Sequence, residues 1–350
     1  MNLYILNENI EKIGYIDSYE SLEWVKRFND VGDFVLVTAA TKENMELLQY
    51  GNILMRTDDE QVCIIESINI LLTSSEEKIT VKGSAAENIL NRRIIWTQTT
   101  AKSSETAEDF IRRLITENAI SPTVAARKIN NIALGTRRGF TDVIEKQVTG
   151  DKLLTTISEI CKSYNYGFKM TILNNKLTFN LYKGTDRSYK QSNNPYVVFS
   201  ENFDNLAETE YQNSKQNYSN VALVGGEGEG TDRKYTTAGN VNATGLNRYE
   251  MFVDAKDISS NSGEITTTEY NNLLKERGKE KLAEVEPEES FEGLIDTYNT
   301  YIYKKDYFVG DIVQVENAIG LKAAPRITEA IESFNENGYK IVPKFDSWEV

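Results

Sequence analysis

Hydrophobic and polar residues alternate along most of the first hundred positions, and a period of two is the mark of half-buried strands. Leu3-Tyr4-Ile5-Leu6 is a short apolar run, and Lys12 to Tyr19 alternates around Ile13, Tyr15 and Tyr19. Leu22 to Phe28 leads through the turn Asn29-Asp30-Val31-Gly32 to a Phe- and Val-rich strand at Asp33 to Val37. Asn44 to Gln49 predicts one or two helical turns. Gln61 to Leu72 and Lys78 to Val81 predict a hairpin around Thr73-Ser74-Ser75-Glu76, followed by a short helix at Ala85 to Leu90 and a strand at Arg93 to Thr97. Many short strands with few helices point to a small barrel.

After residue 100 the period changes. Thr106 with Asp109 resembles a capping box, and Ala107, Phe110, Ile111 and Leu114 follow at helical spacing. Strands are expected near Ile129 to Leu134 and Phe140 to Gln147. Asp151 should cap a second helix whose one face carries Leu153, Leu154, Ile157, Ile160 and Cys161. Phe168 to Leu173 and Lys176 to Tyr182 form a hairpin closed by Asn174-Asn175, residues that tolerate positive φ. Strand patterns return at Tyr196 to Phe199, Ala207 to Ser214, Ser219 to Val224, Phe308 to Val315, Arg326 to Phe334 and Tyr339 to Val342. Among them lies a helix, Thr266 to Val285, with Tyr270, Leu273, Leu274 and Leu282 as apolar points; Gly278 weakens its middle by about 1 kcal/mol relative to alanine.

One pattern occurs twice. Gly51-Asn52-Ile53-Leu54-Met55 is followed by a polar turn and Ile64-Ile65-Glu66-Ser67-Ile68. Gly310-Asp311-Ile312-Val313-Gln314-Val315 is followed by a turn and Ile327 to Ser333. Each copy reads as a glycine bend, a β-branched strand, a loop and a returning strand with an acidic residue between isoleucines. The expected organisation is mainly β with an α+β insertion: a first small β-barrel module at 1–99, an α+β domain at 100–185, and a second, related β-barrel module at 186–350 with a long helix near 266–285.

Composition narrows the function. The chain has 350 residues and 40% hydrophobic content, enough for two or three ordinary cores. Histidine is absent, which removes Ser-His-Asp and Cys-His catalysis and histidine metal sites together. The two cysteines, Cys63 and Cys161, fall on apolar faces and read as buried thiols. No basic stretch followed by an apolar run opens the chain, and nothing approaches the roughly 18 to 20 apolar residues of a membrane span. The expectation is a protein made in a cytoplasm, with no cofactor and no metal. A net charge of −14 argues against nucleic-acid binding, which needs a positive face.

Three features invite chemistry. Gly225-Gly226-Glu227-Gly228-Glu229-Gly230 follows a strand as a phosphate loop does, but it lacks a lysine and a following helix, and its glutamates would repel phosphate. A flexible loop at a subunit boundary or an opening is the favoured reading. Asp58-Asp59-Glu60 and Glu284 to Glu289 sit at turns and helix ends, where solvated charge is usual; a glycosidase would need two carboxylates across a cleft. Tyr298, Tyr301, Tyr303, Tyr307 and Phe308 form an aromatic patch, suited to a strand's core face or to a subunit contact.

Four ordered blocks resemble the tail hub, or tail-associated, proteins of long-tailed phages. They are Trp24 to Phe34; Gly51 to Ile68 with Val81-Lys82-Gly83 and Asn88 to Ile95; Val221 to Glu229 with Arg233; and Tyr307 to Val313 with Pro325 to Glu329 and Val342 to Phe345. The family is similar in fold to the baseplate hub of contractile phages and of phage-derived bacteriocins. What the resemblance implies is a virion structural protein, assembled in the bacterial host. It would form a homotrimeric ring at the distal end of the tail tube, touching the tube or distal tail protein and the spike or tip, and passing the tape measure and DNA. Because the chain stops at Val350, no lytic domain is expected. Two related modules per subunit would let three subunits present a pseudo-six-fold face. The contact residues proposed on this reading are Gly51, Ile53, Gly225, Gly226, Glu227, Gly228, Glu229, Gly310, Asp311 and Arg326. Rival readings are a carboxylate-dependent cell-wall hydrolase and a polysaccharide-binding adhesin.

Overall fold

The computed structural model describes residues 2–263, 265–295, 300–317, 320 and 322–345. The first stretch forms β1 (Leu3–Leu6), β2 (Lys12–Ile16), β3 (Ser21–Arg27), β4 (Asp33–Ala39), α1 (Lys42–Leu47), β5 (Ile53–Arg56), β6 (Val62–Leu72) and β7 (Glu77–Ala85). β6 shows why these strands hold. Its alternate residues Cys63 and Ile65 enter one core with Trp24, Phe34 and Val81, while Val62 and Ile64 enter another with Phe110, Leu114 and Ile157. Both faces of its first half are therefore covered, by the first module on one side and the α+β insertion on the other.

The insertion contains β8 (Thr99–Thr100), α2 (Ala107–Ile115), β9 (Ile132–Leu134), β10 (Gln147–Val148), α3 (Leu153–Ser163), β11 (Gly167–Leu173) and β12 (Lys176–Tyr182). Asn174 and Asn175 take φ +51° and +54°, as the hairpin turn requires. Three local expectations differ. Arg93 to Thr97 is not a strand, since Ile94 makes only an isolated bridge with Lys152. Residues 140–146 form no ladder: Phe140 N–H goes to the buried Glu108 carboxylate, the Asp142 carbonyl accepts from Ala107 N–H, Val143 makes an isolated bridge with Thr106, and Ile144 N–H donates to the Glu105 carbonyl. Lys152, not Asp151, stands at the start of α3 with no side-chain cap; the Asp151 carbonyl accepts from Ile95 N–H instead.

The last stretch forms β13 (Val198–Ser200), β14 (Leu206–Ser214), β15 (Val221–Gly225), β16 (Tyr235–Gly239), β17 (Glu250–Asp254), α4 (Thr267–Ala283), β18 (Glu288–Ile295), β19 (Gln314–Glu316), β20 (Lys322–Ala323), β21 (Ile327–Asn335) and β22 (Gly338–Phe345). A full capping box, Thr266 with Glu269, starts α4, and the helix buries Tyr270, Leu273, Leu274 and Leu282 against the small sheet β16-β15-β17. The two ends of the chain meet in a single 11-stranded sheet, ordered β14-β18-β22-β21-β3-β4-β7-β6-β5-β1-β2. The molecule is mainly β with an α+β insertion, as the pattern implied.

Phe28 joins the three parts. Its N–H donates to the Thr328 carbonyl and its carbonyl accepts from Phe168 N–H. Its ring meets Tyr182 edge-on and lies under the Arg326 guanidinium. Gly167 and Gly310 flank the ring so closely that a Cβ on either would come within 2.5 or 2.7 Å of it.

Candidate functional site

The duplicated sequence pattern is a duplicated backbone geometry. Gly51 takes φ +86° and Gly310 φ +99°, a region that side-chain-bearing residues avoid. Gly51 N–H donates to the Ile65 carbonyl and Ile65 N–H returns to the Asn52 carbonyl. In the second copy Gly310 N–H donates to Ile327, and Ile327 N–H returns to Asp311. The next pairs also correspond: Ile53 faces Ile64, and Ile312 bridges Arg326. Directly after Ile65 and Ile327 each returning strand carries a bulge, at Glu66 in β6 and at Thr328 in β21. The acidic residues of the two copies therefore do not coincide, because Glu66 stands where the second copy has Thr328.

The correspondence extends through the sheet. β14-β18-β22-β21 and β3-β4-β7-β6 are the same order of four strands, laid side by side. They join where β21 pairs antiparallel with β3, from Glu329 opposite Arg27 to Phe334 opposite Leu22. Arg27 clamps this seam with ion pairs to Glu329 at 2.5 Å and Asp33 at 2.7 Å. In β6 the stretch Ser67–Leu72 occupies the place that Glu329–Phe334 occupies in β21. It pairs with β7 on one side, and among the described residues no strand lies on the other. Ile70, Leu71 and Leu72 are 44%, 44% and 63% exposed there. At the far end of the sheet β14 pairs with β18, and among the described residues no strand lies on its other side. Two unpaired edges thus correspond to the two edges that already meet at the β21–β3 seam. Nothing in the periodicity of β6 shows that its second half lacks a neighbour.

A buried charge network braces the seam. The Arg56 guanidinium makes two hydrogen bonds to Glu332, at 2.9 and 3.0 Å, and two to Asp58, at 3.0 and 2.7 Å. Burial disfavours its charge, yet Asp58 and Glu332 hold its pKa above the ordinary arginine value. Lys304 reaches Glu332 at 2.9 Å and Asp59 at 3.0 Å, and Lys26 reaches Asp59 at 2.5 Å. Burial alone would raise the Asp59 pKa; Lys26 and Lys304 outweigh it and hold the carboxylate well below its usual range. Lys304 adopts φ +66°, an uncommon conformation for a residue with a side chain. In the acidic turn Asp58-Asp59-Glu60, expected to be solvated, the Asp59 side chain is instead buried, while Asp58 and Glu60 stay exposed and pair with Arg56 and Lys169. Sequence could not reveal this, since Arg56 and Glu332 are 276 positions apart.

The other singled-out residues fall in two places. Gly310, Asp311 and Arg326 share one corner. Asp311 is buried and its carboxylate accepts from Thr185 N–H at 2.7 Å, Arg187 Nε at 2.8 Å and Phe308 N–H at 3.1 Å; Arg326 donates to the Gly310 carbonyl. Gly51 and Ile53 form the equivalent corner of the first copy, with Ile53 buried. The glycine run lies elsewhere, as the connection from β15 to β16. It is pinned rather than loose: Glu227 N–H donates to Tyr270 Oη at 2.7 Å, and its carboxylate meets Lys234 at 2.7 Å and Ser260 N–H at 3.0 Å. The Lys234 contact and the Ser260 bonds lower the Glu227 pKa to about 2. Gly225 and Gly226 are buried, while Gly228 and Glu229 are exposed. Tyr303 and Tyr307 are core residues, with Tyr307 edge-on to Phe199; Tyr298 lies outside the described residues. Cys63 and Cys161 are buried free thiols. Among the described residues no cluster of metal-ligating side chains forms, and no helix is long and apolar enough to cross a membrane.

A family model described as Siphovirus ReqiPepy6 Gp37-like protein matches residues 2–345. The fold is similar to that of the tail protein from Neisseria meningitidis MC58, at 12% identity, covering 99% of this chain and 96% of that one with a TM-score of 0.60. It is also similar to the 43 kDa tail protein of prophage MuSo2 from Shewanella oneidensis, at 10% identity, 99% and 98% coverage and TM-score 0.60. A third similar structure is prophage tail protein gp18 from Listeria monocytogenes EGD-e, at 9% identity, 100% and 96% coverage and TM-score 0.58. At such identities the likeness is one of fold. No curated protein matches the sequence.

Proposed function

The chain belongs to the Siphovirus ReqiPepy6 Gp37-like family of phage tail proteins, and on that premise we propose that it is a hub, a structural component in which three copies close into a ring at the distal end of the tail tube. The observation that carries this reading is the pair of open edges. If β14 of one copy pairs with Ser67–Leu72 of the next as β3 pairs with β21, every seam in the ring has one geometry. Transferring the register of the internal seam puts Ser67 opposite Ser214 and Asn69 opposite Gln212 of the neighbour. Each copy contributes eight strands in that order, so three give a closed sheet of twenty-four. Closure also removes the exposed apolar edge, which would otherwise promote aggregation. Six equivalent modules from three subunits match a six-fold tube on one side and a three-fold tip on the other.

The ring would contact the tube or distal tail protein and the spike or tip, with the tape measure and DNA passing through, in a virion tail or a related particle. A structural role without catalysis is supported by how the acidic clusters are used: Asp58, Asp59 and Glu227 are each held by cations of the same chain. The corners at Gly51 and Gly310 act as folding pivots that set the edges, rather than as contact surfaces themselves; Gly228 and Glu229 remain candidates for contact.

Native mass measurement tests the reading, with a trimer expected. The double variant Ile70→Lys, Leu72→Lys puts charge on the free edge, where both side chains are exposed in the single chain. It should leave a folded monomer that no longer closes. A trimer that survives both substitutions would overturn the proposed seam.

A further inference from the structure

Trp96 is 56% exposed and forms one wall of a cleft of about 470 Å³, which Thr97, Gln98, Thr123 and Arg127 also line. The Arg127 guanidinium lies 4.4 Å from the Trp96 ring centroid. Its hydrogen bonds go to the Ile94 carbonyl and to Asn118 Oδ1. The adjacent Arg93 donates only to carbonyls, those of Arg127 and Arg92. Among the described residues neither arginine forms an ion pair, although the chain as a whole has a net charge of −14. Partial burial, and then the Arg93 charge, lower the Arg127 pKa, as expected for a cation lacking its counter-charge. The cleft's other charged residues are already matched, with Arg113 held by Glu105 at 2.7 Å and Glu117 at 3.8 Å.

Local backbone geometry also marks the place. α2 runs on into a π turn, Thr116–Ile120, which sets Asn118 beside the cleft; its Nδ2 donates to the Leu114 carbonyl at 3.0 Å. Such turns are frequent where a helix has been adapted to bind.

We infer that this cleft binds a carbohydrate bearing a single anionic group. The exposed part of Trp96 takes the apolar face of a sugar ring, the unused N–H groups of Arg127 take a carboxylate or phosphate, and Thr97, Gln98 and Thr123 take hydroxyls. A uronic acid and a sugar phosphate share this chemistry. A long polyanion such as DNA is disfavoured by repulsion from the acidic chain.

The test is calorimetric titration of the full chain with glucuronic acid, glucose 6-phosphate, neutral glucose, inorganic phosphate and a short oligothymidylate. At least one anionic sugar should bind, at least tenfold more tightly than glucose or inorganic phosphate, and preference between the two identifies the anion. Trp96→Ala and Arg127→Met should each weaken that binding tenfold or more. Because Arg127 also ties down two loops, Trp96→Ala, at an exposed position, decides the matter if Arg127→Met does not fold. Absence of heat with both anionic sugars, equal binding of inorganic phosphate, tighter binding of the oligonucleotide, or an unaffected Trp96→Ala would overturn the inference. Subunit mass is independent of these outcomes, so the ring and the cleft stand or fall separately.

Discussion

Arg56 is fully buried between two acidic residues, and its charge is tolerable only because both are present. Removing one partner of a buried pair leaves an uncompensated ion and costs about 3–5 kcal/mol. Glu332→Ala should therefore lower the unfolding free energy by about that amount, read from the midpoint and slope of denaturant unfolding, and Arg56→Met combined with Glu332→Leu should recover much of the loss. Glu87 presents the opposite case. It is 2% exposed, and burial raises its pKa from 4.5 to about 7. The folded chain keeps a proton that the unfolded chain releases between those two values. Stability should thus fall as pH rises through that window, by up to about 3 kcal/mol. Glu87→Gln should flatten the dependence between pH 5 and 8, measured by thermal melting. A slope unchanged in the variant would assign the effect to other groups. Asp59 runs the other way: its depressed pKa contributes stability at neutral pH that is lost in acid, as pH falls below the ordinary carboxylate range.

At the scale of elements, α4 shows how packing reverses a propensity. Glycine in mid-helix costs about 1 kcal/mol, so Gly278→Ala would help an isolated helix. Here a Cβ at 278 would lie 2.6 Å from the Ala238 Cβ and 2.7 Å from Val224 Cγ2. The substitution should instead destabilise by about 1–3 kcal/mol, through overpacking against the sheet, read as a lowered midpoint of denaturant unfolding. The hairpins β6–β7 and β11–β12 and the helices α2 to α4 follow the sequence pattern closely, because period and turn chemistry are local. The misread stretches, 93–97 and 140–146, take partners from distant segments, Asp151 and Lys152 for the first and Glu105 to Ala107 with the Glu108 carboxylate for the second, that no window of sequence contains. The glycine run reads as a strand-to-strand loop from its composition alone; its anchorage on Tyr270 and Ser260 is not legible there, since both lie more than thirty positions away.

For the whole molecule, charge sets the conditions of assembly. In the proposed ring three copies would carry three times the −14 net charge, −42. Repulsion between copies is screened over roughly 8 Å at physiological salt. The trimer fraction at fixed protein concentration should therefore rise between about 20 and 150 mM salt, by sedimentation or mass photometry. A fall over that range would mean that attractive charge pairs between copies dominate instead. If the proposed ring passes DNA, the same negative field would repel it from the wall, and neutralising carboxylates that face the opening should slow ejection.

The amino-acid order by itself determined the strand-rich class, the helices with their caps, the absence of histidine chemistry and the twofold occurrence of the glycine-bend pattern, because each depends on neighbours within a few residues. Only the tertiary structure decided that both copies share one sheet, that Phe28 and Arg56 hold their seam, and that among the described residues the second half of β6 and the strand β14 each have one open side. Those facts rest on contacts across hundreds of positions, where burial and unpaired backbone groups, not local periodicity, determine which surfaces remain to be covered.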